Sequence, residues 1–344
     1  MKKVGIGMKL SIDQIKKITK GAVRLEETKE GVCLYRFTKE QELLYAGTNE
    51  TFYKQTFADA GMKFLFKTNS ENLFLDVELE SKTSRKYFSF DVFVDDELIG
   101  YLDNFKEEDM PTVYTTVPLP YGRVNKNFSL GKGAKTVEVY LPWNFRCVFK
   151  EISIDDGAYI EEVQMDKKAL VYGDSITQGY DALRPSNRYV AKLMDFIGAE
   201  EINKAIGGEF FFPPLVETEE AFVPDIVTVA YGTNDWSKTD EPGFRNRSRA
   251  FYETLSKKYP NTKIFAITPI WRKDYQEYRE FGLFEDMICD IEEAVEGLTN
   301  VHLIHGFNFV PKDESFFADL RLHPNDAGFD HYFIGLCAEI RKYI

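Results

Sequence analysis

Ser175 stands at the most reactive-looking junction in the chain. The segment Ala169-Leu-Val-Tyr-Gly-Asp-Ser-Ile-Thr-Gln-Gly179 reads as a short apolar strand, a tight turn and a helix start. A hydroxyl placed there lies at the C-terminal edge of a sheet, where open α/β folds bind ligands. It also lies at a helix N-terminus, where developing negative charge is favoured. Gly-Asp-Ser alone is a weak signal, because Gly and Asp are ordinary turn residues and serine at such a junction often caps the helix. Asp174 reads as bonded within the turn. Three further strand-end loops add the missing chemistry. Gly207-Gly208 follows the strand-like Glu201–Ile206, and glycine lets a backbone N–H approach a reacting carbonyl closely. The run Ile226-Val-Thr-Val-Ala-Tyr-Gly-Thr-Asn-Asp235 ends in Asn234, whose amide is a second donor. With the Ser175 N–H these make an oxyanion hole. His323, in Leu322-His-Pro-Asn-Asp326, supplies an imidazole suited to take the serine proton. The chemistry this set points to is acyl transfer through an activated serine.

Ser175, Gly208, Asn234 and His323, in this order and spacing, resemble the blocks of the SGNH (GDSL-like) hydrolases. The resemblance covers roughly residues 167–344. It implies a three-layer α/β/α fold, flavodoxin-like with a parallel sheet, and ester hydrolysis through an acyl-enzyme. It implies Ser175 as nucleophile, His323 as base, and Ser175 N–H, Gly208 N–H and the Asn234 side chain as oxyanion donors. Two positions depart from the family pattern. Where the family has an acid three residues before its histidine, this chain has Leu320; Asp319 is one residue further away. Either Asp319 reaches the imidazole through a slipped loop, or a backbone carbonyl orients His323 and the site is a dyad. Asp326 is also near in sequence but reads as the cap of the last helix. Ala205 replaces a frequent glycine, away from the chemistry.

The elements that must position these residues change character near residue 160. Before it, Asn72–Glu80, Tyr87–Val94, Lys135–Leu141 and Val148–Ile154 alternate apolar and polar side chains, which predicts strands with one buried face. Asp95-Asp96, Gly131–Gly133 and Asp155–Gly157 mark turns, and only Ile12–Ile18 reads as helical. This predicts an all-β sandwich or jelly roll over 1–165. After it, strands at 169–172, 201–204, 226–231, 263–268 and 301–305 alternate with helices at 187–197, 244–259, 276–296 and 326–342. That rhythm predicts a parallel sheet covered on both faces over 166–344. A sandwich ahead of an SGNH domain resembles certain bacterial carbohydrate esterases that deacetylate sugars.

Composition bounds the partners. The 344 residues carry a net charge of −13 with acids and bases interspersed, unlike the basic stripe of a nucleic-acid binder. No stretch is long enough to span a bilayer. Met1–Leu10 lacks the apolar run of a leader, and the four cysteines form no Cys-x-x-Cys pair, which predicts reduced thiols and a cytoplasmic location. His302 and His305 fall on opposite faces of a predicted strand, so neither a metal nor another cofactor is expected. Aromatic residues make up 15% of the chain. Trp236 and Trp271, beside predicted strand ends, and Arg272 are the candidates for contacts with substrate; Trp143 is a weaker one. The expected partner is a small-molecule or oligosaccharide ester, and a homo-oligomer is left open. The reading is a metal-independent serine esterase acting on small acyl groups, most plausibly acetyl on sugars. The rivals are a general short-chain or lipid-type esterase and a carbohydrate-binding protein with a degenerate hydrolase domain.

Overall fold

The computed structural model describes residues 7–344; most of Met1–Leu10, the segment read for a leader, lies outside them. Two antiparallel sheets make up most of the N-terminal half. One joins Arg24–Thr28, Gly31–Tyr35, Phe145–Ile154, Asn72–Ser81 and Arg123–Ser129, with Met8–Lys9 added on Phe145–Ile154. The other joins Glu161–Glu162, Lys63–Thr68, Lys135–Tyr140, Ser89–Val94 and Glu97–Asp103, with Thr19–Lys20 added on Lys63–Thr68. The alternating residues face inward between them, with Phe66, Leu75, Val77, Phe90, Val139 and Phe149 all buried. Asp95 and Asp96 have φ of 48° and 67° and close the hairpin between Ser89–Val94 and Glu97–Asp103. Two left-handed residues match the twist a two-residue hairpin needs.

The C-terminal half holds one parallel sheet of five strands. Its order is Ala199–Asn203, Lys167–Gly173, Ile226–Ala230, Lys263–Ile267, Val301–Ile304. In chain order that is 2-1-3-4-5, the flavodoxin-like winding, and ligands bind where the order reverses. Tyr189–Ile197 and Asp326–Ile340 pack together, as do Glu241–Lys258 and Phe284–Val295, and buried apolar clusters fill both faces of the sheet. No helix among the described residues is long and apolar enough to cross a membrane. All four cysteines are free, and only Cys289 is exposed.

Three expectations need correction. Ile12–Ile18 is helical, but so are Lys39–Ala46 and Glu50–Gln55. Thr38 and Gln41 form a capping box and Asn49 caps the second of these helices, so their start signals were present. Their apolar faces are short, and Phe37 and Tyr45 pack into the core of the parallel-sheet layer, not into the sandwich. The helix expected at 276–296 begins only at Phe284, because Arg279 and Gly282 pair across a turn and Gly282 has a φ of 120°. Asn325, and not Asp326, caps the last helix. Asp326 instead accepts bonds from the Leu183 N–H and the Asn187 amide, at 2.8 Å each.

Candidate active site

Ser175 is buried at the first turn of Ser175–Gln178, directly after Lys167–Gly173, and Asp174 caps that turn by accepting the Ile176 N–H. Gly173 has no room for a side chain, since a Cβ there would lie 2.3 Å from the Thr177 hydroxyl. Ser175 Oγ is 2.9 Å from His323 Nε2. On the far side of the ring, Nδ1 is 2.8 Å from Asp319 Oδ2. The other Asp319 oxygen accepts the backbone N–H groups of Arg321, Leu322 and His323. The residue that makes this reach possible is Leu320, with a φ of +56°. One left-handed residue absorbs the extra position between acid and histidine, an unusual conformation for a side chain of this size. Burial alone would raise the Asp319 carboxyl; the hydrogen bond and charge of His323 and the backbone donors outweigh it and hold the group well below the usual carboxylate range. Asp174 shows the opposite result, pushed up to about 6 by burial despite the Ile176 N–H and the nearby His323.

The expected donors line the same cleft. Gly208 has a φ of +86°, which favours glycine. The Gly207 N–H is taken by Gln178 Oε1 at 2.7 Å and Gln55 Oε1 at 3.1 Å, and Gln55 Nε2 returns a bond to the Gly207 carbonyl at 3.0 Å. Among the described residues, the Ser175 and Gly208 N–H groups have no such acceptor. Asn234 spends one amide hydrogen on the Glu209 carbonyl at 2.9 Å, leaving the other for a ligand. Lys238 donates to the Gly208 carbonyl at 2.9 Å. A cleft of about 420 Å³ opens over these groups, walled by Thr51, Phe52, Gln55, Lys82 to Arg85, Tyr180, Gly207, Lys238 and Leu322.

The structure brings Ser175, Gly208, Asn234, His323 and Asp319 together and leaves four named candidates out. Trp236, Trp271 and Arg272 are 1%, 6% and 2% exposed and do not line the cleft. Trp236 donates to the Gly282 carbonyl and packs edge-on against Phe284. Trp271 packs on Phe317. Arg272 pairs with Asp274 and donates to the Thr233 carbonyl at 2.9 Å, so it braces the turn that carries Asn234 from beneath. Trp143 is likewise buried and donates to the Ala182 carbonyl. Proximity in sequence to a strand end does not say which side of the loop a ring faces.

Sequence reading missed Asp181, Arg85 and Gln55. Asp181 follows Gly179-Tyr180 and reads as a turn residue, and its left-handed φ of 74° fits that reading. It is also fully buried, with Oδ2 only 3.5 Å from His323 Nδ1. Asp181, Asp319 and His323 bring ligand-type atoms within 4.8 Å of one another. Both Asp181 oxygens are already engaged by Arg85, at 2.5 and 2.7 Å, and three N–H groups occupy one oxygen of Asp319. This set fits a hydrogen-bonded imidazole better than a cation.

Residues 171–331 match the GDSL-like Lipase/Acylhydrolase family. They form a GDSL-like hydrolase domain. The chain is an esterase-type hydrolase. None of the curated protein sequences compared matches it. Among solved structures, a salicylyl-acyltransferase from a tetracycline biosynthetic pathway is similar over 94% of each chain, with a TM-score of 0.77 at 18% identity. A GDSL-like lipase candidate from Bacteroides ovatus is similar over 97% of each chain, with a TM-score of 0.76 at 21% identity. A family two carbohydrate esterase from Clostridium thermocellum is similar over 94% of this chain and 97% of its own, with a TM-score of 0.66 at 14% identity. These likenesses include the sandwich, so the fold shared with them is the sandwich together with the GDSL-like domain.

Proposed function

We propose that the protein is a serine esterase that removes a small acyl group, acetyl above all, from a sugar or oligosaccharide. The observation that carries the reading is the unbroken relay from Ser175 Oγ to His323 Nε2 at 2.9 Å and from Nδ1 to Asp319 at 2.8 Å. Ser175 Oγ attacks the ester carbonyl as its proton passes to Nε2. The Ser175 N–H, Gly208 N–H and the remaining Asn234 N–H receive the oxyanion, where such preorganised donors act most strongly. His323 returns the proton to the departing alcohol, and water clears the acyl-enzyme through the same base. Thr51, Gln55, Lys82, Thr83, Ser84, Arg85 and Lys238 bring hydroxyl, amide and cationic groups to the cleft wall. Such groups suit the hydroxyl-rich alcohol of a sugar ester.

The likeness to a carbohydrate esterase supports the sugar; the likeness to an acyltransferase makes a hydroxyl acceptor other than water the second reading. The test is acetate release from 4-nitrophenyl acetate and from acetylated xylo-oligosaccharides by wild type and Ser175→Ala. Wild type should turn over both, and the variant should lose at least about 10³-fold. Octanoate esters should be poorer substrates than acetates. Turnover that survives Ser175→Ala would overturn the serine mechanism. Acetyl transfer to an added alcohol outrunning hydrolysis would favour the acyltransferase reading.

A further inference from the structure

The strands Asn72–Ser81 and Ser89–Val94 belong to different sheets of the sandwich, and the loop between them carries Arg85 into the site. Arg85 Nε and Nη2 engage Asp181 Oδ1 and Oδ2 at 2.5 and 2.7 Å. Tyr87 donates to the same carboxylate at 2.8 Å, and Tyr114 donates to the Asp181 backbone carbonyl at 2.6 Å. The Arg85 guanidinium also lies over the ring of Tyr180, 5.2 Å from its centre. Tyr180 in turn stacks on His323 at 5.7 Å. Three residues of the sandwich half, Arg85, Tyr87 and Tyr114, therefore hold the Asp181 turn behind the imidazole, with Tyr180 stacked on the ring.

We propose that Asp181 is a positioning residue for His323, and that Arg85 sets how much of its charge the imidazole feels. The sandwich domain thereby tunes the general base. This rests on the esterase reading for the role of His323. A fully buried carboxylate is costly without a partner, and a bidentate guanidinium is the strongest one available. At 3.5 Å, Asp181 Oδ2 is too far from Nδ1 for a good hydrogen bond, so Asp319 holds the proton and Asp181 acts through its charge. When Nε2 accepts the serine proton, the imidazolium faces two carboxylates. Arg85, behind one of them, weakens that attraction. Removing the anion and removing the cation must therefore push the imidazole in opposite directions. The other charged groups around the ring are Asp319 and Arg321 on its own loop, Asp174 on the Ser175 turn and Lys238 across the cleft. They stay in place in both variants and cancel from the comparison.

The test is the pH dependence of kcat/KM for 4-nitrophenyl acetate, whose acidic limb reports the base in the free enzyme. Asp181→Asn should move that limb to lower pH by about one unit and lower the plateau kcat about tenfold. Arg85→Gln should move it to higher pH by about one unit, and Arg85→Lys should bring it back toward wild type. The double variant Asp181→Asn/Arg85→Gln removes both charges, should fold even if a single variant does not, and should titrate near wild type. NMR titration of the His323 ring, assigned by comparison with His323→Ala, reads the same shifts without substrate. Limbs and ring titrations that stay put in the single variants, or move in the same direction, would overturn the proposal. If Ser175→Ala hydrolyses as fast as wild type, the esterase reading fails, while the ring titrations still decide whether Asp181 and Arg85 act on His323.

Discussion

Asp319→Asn is the sharpest probe of how His323 is held. Asp319 Oδ1 accepts the N–H groups of Arg321, Leu322 and His323 at 2.9, 2.7 and 3.1 Å, while Oδ2 faces Nδ1 at 2.8 Å. Three donors on one oxygen dictate which way an asparagine must sit. Its carbonyl takes the Oδ1 position, and its NH₂ turns toward Nδ1. The imidazole is then driven to the tautomer that accepts at Nδ1 and carries its proton on Nε2. A protonated Nε2 cannot take the Ser175 proton across 2.9 Å. The corresponding change in the serine-protease triad costs kcat about 10⁴-fold, or about 5 kcal/mol of barrier, and a loss of that order is expected here. Asp319→Ala provides the contrast. It leaves no donor at Nδ1, and Asp181 Oδ2 waits at 3.5 Å. The alanine variant should therefore keep more activity than the asparagine variant, yet be less stable, because three N–H groups lose their acceptor. The assay is kcat on 4-nitrophenyl acetate, corrected for active-site content, beside thermal unfolding. A folded Asp319→Asn variant within tenfold of wild type would refute the tautomer argument.

Two further outcomes follow from the loop after Ala199–Asn203. Gly208→Ala forces an L-residue to a φ of +86° and sets its Cβ 3.4 Å from Lys238 Nζ, so strain of about 1–2 kcal/mol should turn the N–H away. We expect kcat to fall about 10²-fold with KM little changed and Tm lowered, measured by steady-state kinetics and calorimetry; an unaltered kcat would remove Gly208 from the oxyanion hole. Glu209, next in the chain, is pushed up to about 8 by burial, against the hydrogen bonds of Tyr45 and Tyr231. Its unfolded value is about 4.3, so between the two the folded state holds the extra proton and stability declines as pH rises. Glu209→Gln should lose that decline, and chemical denaturation at pH 5 and pH 8 should show the gap between variant and wild type change with pH. A constant gap would mean the group titrates normally.

What the sequence made legible is local. Ser175, Gly208, Asn234 and His323 each sit in a short block at a strand end, where a few adjacent residues specify turn, donor and strand together. The alternation of strands and helices after residue 165 likewise follows from periodicity. The acid was half legible. Asp319 stood at the wrong spacing, and nothing in the letters says that Leu320 would adopt a left-handed conformation to correct it. Residues whose roles depend on distant partners were not legible. Arg85 meets Asp181 across 96 positions, and Gln55 meets Gly207 across 152. Trp236 and Trp271 face inward because Phe284 and Phe317 are there to receive them, which no motif around Asn234 could announce.

The Gln55 side chain carries a consequence for the history of such proteins. Its amide grips Gly207 by both N–H and carbonyl, and nearby Arg36 donates to the carbonyls of Gln55, Ala58, Asn203 and Ala205. The oxyanion loop is thus moulded by a stretch of chain that comes before most of the sandwich strands. A gene-level exchange that swapped everything ahead of residue 165 would hand the hydrolase half an unsupported loop. Recombination at the apparent seam should yield dead chimaeras unless segment 36–59 travels with its partner, so the two halves of this chain are bound to be inherited as one.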